Sequence, residues 1–273
     1  LFVVLSFSIL FFWSTWQEKH AVRPASVATS QADTPKAAPA VTDKVFQLAS
    51  DKRVVVETDT YKAEIDTMGG DIRRIELLQH HADNSNQQDF VLLDDRQLPL
   101  VYVAQSGLIG NDLPTHKTVF TSASSNYQLK ADQNTLQVAL EAVNSAGVKV
   151  TKTHTFTRGS YVVKVDYQIN NASNAAIDPW VYYQIVHDSE SNQGSRMMPT
   201  FTGAAYFTDA DKYKKVKFTE MAKEDLSKTS KDGWIGLVQH YFVSAWIPAA
   251  QQSREFYTSK LSDKVYAVGA KSA

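Results

Sequence analysis

Apolar and polar positions divide the chain into three stretches. Leu1 to Trp16 read LFVVLSFSILFFWSTW, sixteen residues without charge, glycine or proline. Such a run is a membrane-spanning helix, a secretory signal or a buried core helix. Crossing a hydrocarbon core takes ~20 apolar residues and a signal-peptide apolar region has ~7–15, so this run lies between the two. The sequence opens at Leu1 rather than at methionine, which fits a start inside a longer apolar segment. Trp13 and Trp16 stand where a signal peptidase requires small residues, and they suit a membrane–water interface instead. The first small-x-small site, Ser26-Val27-Ala28, comes too late for cleavage. Residues 1–17 are therefore predicted to be an uncleaved transmembrane helix in the lipid bilayer, truncated at its start. Its visible flank, with Glu18, Lys19 and Arg23, is too weakly basic to set the orientation.

Residues 18–44 carry a different pattern. Ala21 to Lys44 are almost all Ala, Pro, Ser, Thr and Val, with no aromatic residue and with prolines at 24, 35 and 39. This composition buries too little apolar area to offset the entropy of ordering, and the prolines block regular ladders. The stretch is predicted to be a flexible tether. A chain of that length has an r.m.s. reach of ~25–30 Å.

From Val45 onward the period is two. Tyr61, Ala63 and Ile65 alternate with Lys62, Glu64 and Asp66, as in a half-buried strand. Met68-Gly69-Gly70-Asp71 turns the chain into a second strand over 72–78, and the polar stretch Gln79–Asp89 reads as a loop. Leu136, Val138 and Leu140 alternate with polar neighbours; Asn144-Ser145-Ala146-Gly147 is a turn; a strand follows from Val148 to Arg158. After Arg158-Gly159-Ser160, the residues Tyr161, Val163, Val165, Tyr167 and Ile169 line one face of the next strand. Strands of this length joined by short Gly/Asn/Ser turns predict a mainly β, antiparallel sandwich over 45–273. A helical turn or two is expected only at Glu220–Leu226.

Composition narrows the chemistry. The chain has no cysteine, so thiolate catalysis, disulfides and cysteine metal sites are excluded. A net charge of −1 gives no electrostatic reason to bind nucleic acid. His80-His81 with Asp83 and Asp89 is the densest cluster of metal-ligand types. Adjacent histidines on a strand point to opposite faces, unlike the i,i+4 pairs of helical metal sites. His154 shares a strand face with Lys152, Phe156 and Arg158 and is expected to be half exposed. His187-Asp188 has the residue types of a base and its orienting carboxylate, but no nucleophile-elbow serine accompanies it. The glycines at 69–70 and 107–110 lack the strand–GxGxxG–helix context of a dinucleotide site. The sequence predicts no catalytic, cofactor or metal site.

Two surfaces remain. Lys212 to Lys217 (KYKKVK) is a basic stretch around Tyr213, either a solvated strand face or a docking surface for an acidic partner. Lys231 to Pro248 (KDGWIGLVQHYFVSAWIP) reads as two short strands, apolar on both faces, expected to be central in the sandwich or to meet a partner. Tyr213, Lys214, Lys215, Lys217, Trp234, Tyr241, Phe242 and Trp246 are the candidate partner-binding residues.

The second stretch, with others in order along the chain, resembles the YidC family of membrane protein insertases, specifically its periplasmic domain. The matching blocks are Asp66 to Asp71, Ala104 to Leu108, Thr151 to Tyr161, Phe201 to Tyr206 with Lys212-Tyr213, and Gly233-Trp234. Asp232 stands where the family usually has glycine, a change expected to affect only a turn. The resemblance implies a β-supersandwich similar to galactose mutarotase-like domains, preceded by one transmembrane helix. It implies a non-enzymatic insertase and chaperone of the bacterial inner membrane, with the β domain in the periplasm and no cofactor. The implied partners are the Sec translocon, its accessory proteins and nascent inner-membrane proteins. The resemblance also implies that the insertase groove and the last strands of the β domain lie beyond residue 273. The alternative is a mutarotase-like protein that binds or epimerises sugars, but no matching carboxylate and histidine set accompanies it, and a fold alone does not transfer an activity.

Overall fold

The computed structural model describes residues 46–82, 88–190, 200–239 and 241–273, all within one compact unit. The predicted transmembrane helix 1–17 and tether 18–44 lie outside the described residues. Among the described residues no helix is long and apolar enough to cross a membrane.

The chain forms three sheets among these residues, with strands numbered in chain order. The large sheet runs β14 (Ser227–Ser230), β17 (Arg254–Lys260), β18 (Val265–Ser272), β11 (Trp180–Asp188), β5 (Tyr102–Ile109), β3 (Asp71–His81), β2 (Tyr61–Asp66), β1 (Arg53–Glu57) and β7 (Asn126–Gln128), with β4 (Asp89–Leu93) paired to β3. A second sheet runs β10 (Val163–Asn171), β9 (Val148–Thr157), β8 (Thr135–Val143) and β6 (Thr121–Ser122). The third runs β13 (Lys212–Val216), β12 (Gly203–Thr208), β15 (Trp234–Gln239) and β16 (Phe242–Trp246). Among these pairs only β1 with β7 is parallel.

Alternation explains this arrangement. Val54 and Val56, Tyr61, Ala63 and Ile65, and Val138 and Leu140 each repeat every second residue and are buried. They share one core with Phe156, Ala204, Ile235, Leu237, Phe256 and Val268, so the large sheet packs against both smaller sheets. Each large apolar side chain buried there contributes roughly 1.5–3 kcal/mol. A second cluster, Val101, Val103, Val186, Val265 and Ala267, is covered by Phe46 and Leu48. Residues 103 and 186 alternate with Ala104 and Ile185, which pack on the main core, so these strands are buried on both faces.

Three expectations are revised. β3 extends through His81, so His80 and His81 belong to a strand rather than a loop; Asp83 lies outside the described residues. The helix α1 forms at Phe218–Met221, ahead of the expected 220–226. Phe218 and Met221, three residues apart, anchor it in the core, and the Glu220 carboxylate caps it by accepting the Lys217 N–H at 2.8 Å. His154 is buried, with Lys152 and Phe156, because its strand face meets the core rather than solvent.

A candidate partner-binding face and a sealed ionic cluster

The third sheet presents two unlike faces. Ala204, Tyr206, Ile235, Leu237, Phe242 and Trp246 point into the sandwich. Phe242 stacks on Phe90 at 4.4 Å between ring centroids and meets the His80 ring edge-on at 5.7 Å. Trp246 lies 5.1 Å from Tyr183. On the opposite face the register places Tyr213, Phe207 and Trp234 side by side across three strands. Lys215 sits 4.7 Å over the Phe201 ring and 6.0 Å over Tyr213, a cation–π geometry that keeps its charge beside apolar surface. Lys214 is opposite Tyr206 on the other side of β13. Lys217 begins α1. Tyr241 is exposed at the β15–β16 turn, with φ of 72°.

The structure therefore brings Tyr213, Lys215 and Trp234 together on one outward face and separates them from Phe242 and Trp246, which fill the interior. Two apolar faces had predicted that β15 and β16 are either central in the sandwich or meet a partner, and for β16 the structure rules out the first. β16 is instead the last strand of its sheet. Its inward Phe242 and Trp246, with Ser244 between them, cover the large sheet, and its outward residues are exposed.

A cleft of about 510 Å³ opens beside Trp234, lined by Phe207, Gly233, Ile247, Pro248 and Arg254 among others. Arg254 builds its wall and is no anion site. Its guanidinium donates to the carbonyls of Lys231 (3.0 Å), Gly233 (3.3 Å), Pro248 (3.2 Å) and Gln252 (2.8 Å), tying two loops together. Gly233 holds φ at +85°, and a Cβ there would stand 1.7 Å from the Phe207 carbonyl oxygen. Only glycine fits. Asp232 does more than alter one turn: it accepts the Asp209 N–H at 3.2 Å and the Ser230 hydroxyl at 2.8 Å, joining the β12–β13 turn to the β14–β15 turn.

The interior holds a feature that composition concealed. Tyr257 donates to Gln184, Gln184 to Gln105 and Gln105 to Asp71, each at 2.9 Å, in a line across the large sheet. Arg73 lies 3.4 Å from the Asp71 carboxylate and Lys152 lies 3.7 Å from it. The Lys152 ammonium donates to the carbonyls of Gly69 (2.9 Å) and Ser106 (3.1 Å). β3 and β5 pair at a single rung, Ile72 with Ala104, and Lys152 from the second sheet reaches these groups. Burial lifts Asp71 to about 6, against the pull of Lys152 and Arg73. Burial lowers Lys152 to about 8, opposed by Asp71. The spacing of ligand or catalytic motifs carries no trace of this cluster, because its side chains come from five strands, β3, β5, β9, β11 and β17, spread over residues 71–257. All three ionic groups are buried, so the arrangement is suited to fixing the sandwich rather than to meeting a substrate.

His187 and Asp188 are both buried and neither is presented to solvent. The Asp188 carboxylate accepts the backbone N–H groups of Val101 (3.0 Å) and Glu190 (2.8 Å). His187 packs between Tyr102 and Phe218.

The profile described as YidC periplasmic domain matches residues 53–273, nearly the whole described region. The chain belongs to the YidC family. A membrane protein insertase YidC from Methylobacillus flagellatus is 53% identical over 98% of this chain and 52% of its own length. Those of Aromatoleum aromaticum and Thiobacillus denitrificans are 42% and 40% identical, again over 98% of the chain and 52% of their own lengths. The chain spans about half the length of the curated relatives it matches. A galactose mutarotase-related enzyme from Lactobacillus acidophilus overlays with a TM-score of 0.48 at 10% identity, covering 80% of this chain and 85% of its own. Within this YidC periplasmic domain, the block from Phe201 to Tyr206 leads into β12, and Gly233-Trp234 opens β15 against it. Two of the motifs that carried the resemblance are thus the paired centre of the candidate face.

Proposed function

We propose that this chain is the membrane-proximal, periplasmic part of an inner-membrane insertase and chaperone, without enzymatic activity of its own. In this reading residues 1–17 anchor it in the lipid bilayer and residues 18–44 hold the β domain off the membrane surface. It supports insertion and folding of nascent inner-membrane proteins, alone or with the Sec translocon. The observation that carries the reading is the family match over residues 53–273, joined to relatives that are named as insertases. Its docking surface for Sec accessory proteins is the basic aromatic border of the third sheet at β13 and α1, with Tyr213, Lys215 and Trp234 on its outward face, Lys214 on the other side of the edge strand and Lys217 at the start of α1. The cations and rings there offer an acidic, partly apolar partner both charge and contact area.

Reversing charge at Lys214, Lys215 and Lys217 to glutamate tests this surface in the full-length protein. Co-purification with Sec accessory proteins is expected to fall at least several-fold, and more at low than at high salt. Unchanged recovery at low salt sinks the surface.

A further inference from the structure

The large sheet carries an apolar patch on the face turned away from the two smaller sheets. Outward residues of a sandwich strand are ordinarily polar. Here Val103, Val186 and Ala267 form one rung across β5, β11 and β18, and all three are buried. In the next rung on that face Val101 and Val265 flank Asp188, whose carboxylate accepts the N–H groups of Val101 and Glu190. The apolar side chains that cover this floor are Phe46 and Leu48. Gln47 and Ala49 between and beyond them are exposed, the alternation of an extended chain.

Firm attachment begins only after this segment. Asp66 accepts the Ser50 hydroxyl and, at 2.9 Å, the Asp51 N–H. Thr67 exchanges hydrogen bonds with the Lys52 main chain at 2.8 and 3.1 Å. By contrast, residues 46–48 make no main-chain hydrogen bond to another described residue. Phe46 and Leu48 are only half-buried, and the Ala49 carbonyl accepts from Arg73 at 3.1 Å. Few buried contacts and an unpaired main chain put a segment at the low end of local stability.

We propose that residues 46–49 are a strap over a client groove: the strap swings away about the junction of Ala49 and Ser50, and an extended apolar segment of a client polypeptide takes its place. This rests on the insertase reading and names both the form in which the client is held and the contact that competes with it. The strap displays what the floor accepts, large apolar side chains two positions apart. A client's apolar segment offers one at every second position and reaches the whole floor, which the strap covers with two. A second copy of this chain offers only the same two side chains, against a strap already present at high effective concentration in the same molecule. The client therefore displaces the strap and the second copy does not.

The absence of cysteine from this chain permits a direct test. Full-length protein in proteoliposomes, with any cysteine outside this stretch replaced by serine, carries Val186→Cys on the groove floor, where a thiol behaves as a small apolar group. Labelling by a membrane-permeant maleimide is expected to run at least ten-fold faster when Phe46→Ser and Leu48→Ser release the strap. It should return to the parent rate when Phe46→Leu and Leu48→Phe keep two apolar side chains. The client probe is a ribosome-stalled chain with one uncharged twenty-residue apolar segment holding a single cysteine. Oxidation is expected to join it to Val186→Cys at least five-fold more in the released protein than in the parent, and at least five-fold more than to Gln137→Cys on the exposed face of β8. If the released protein loses cooperative urea unfolding, Leu48→Ala alone takes its place, with a smaller rise in the same direction. Equal labelling with and without the strap, adducts no greater than at Gln137→Cys, or adducts only between two copies of the protein overturn the proposal. Insertion of the probe without an adduct also overturns it and leaves the insertase reading intact; an adduct without insertion does the reverse.

Discussion

Replacing Lys152 with methionine separates the two functions of the buried cluster. Methionine matches the length of the lysine stem and removes only the ammonium, so packing changes little. Two carbonyls, of Gly69 and Ser106, lose their donor, and Asp71 loses one of its two cations. The unmet hydrogen bonds cost ~1–3 kcal/mol. The charge adds a pH-dependent part. Asp71 already stands at about 6, raised by burial, and without Lys152 it rises further. A carboxyl raised in the native state makes the fold bind more protons than the unfolded chain, so stability falls as pH rises between the two values. In the parent protein that fall ends near the folded value of Asp71. In the variant it continues, at about 1.4 kcal/mol per pH unit. The deficit is therefore expected to be about 2 kcal/mol at about pH 5.5 and about 4 kcal/mol at about pH 7.5, where it reaches the ~3–5 kcal/mol of a broken buried pair. Urea unfolding of parent and variant at the two pH values measures it. Equal deficits at both, or one under ~1 kcal/mol at the higher pH, would refute the assignment of Asp71 as a carboxylate held ionised by its cations.

Two further changes probe other parts of the fold. Gly233→Ala meets both a left-handed backbone and the Phe207 carbonyl; a loss of roughly 3 kcal/mol is expected in thermal unfolding, and a shift within ~0.5 kcal/mol contradicts the close approach. His116, lowered to about 4 by burial and then by the nearby cations of Lys117, Arg73 and Lys152, stays neutral in the fold and takes a proton on unfolding. It withdraws stability as pH falls from its ordinary value toward 4. His116→Gln should remove that part of the acid sensitivity, opposite in sign to the Asp71 effect, and identical acid profiles for the two proteins would reject it.

The strands were readable wherever one face met the core and the other met water. Tyr61–Asp66 and the run from Leu136 to Asn170 fall into this class, and their turns at Asn144–Gly147 and Arg158–Ser160 close as their residue types require. The reading faltered where alternation had a second cause. β16 is apolar on both sides because its inner residues pack and its outer ones are open, a pattern indistinguishable in sequence from a central strand. The candidate residues were mixed for the same reason: Trp234 and Trp246 look alike in sequence, yet opposite pleats send one outward and one inward. The cluster of Asp71, Arg73 and Lys152 was illegible because charge normally marks exposure, and only the tertiary arrangement supplies the partners that make its burial tolerable.

The position of β18 has a consequence for how the protein is made. Residues 265–272 lie between β11 and β17 in the large sheet, so β14 and β17 have no link to the rest of that sheet until β18 arrives. From the end of β11 at Asp188 to the end of β18 at Ser272 is 84 residues, which synthesis at about 5–20 residues per second delivers over roughly 4–17 s. Throughout that interval β11 presents a bare strand edge. The order of emergence makes β18 a keystone, and a chain stalled before it leaves that edge open to mispairing.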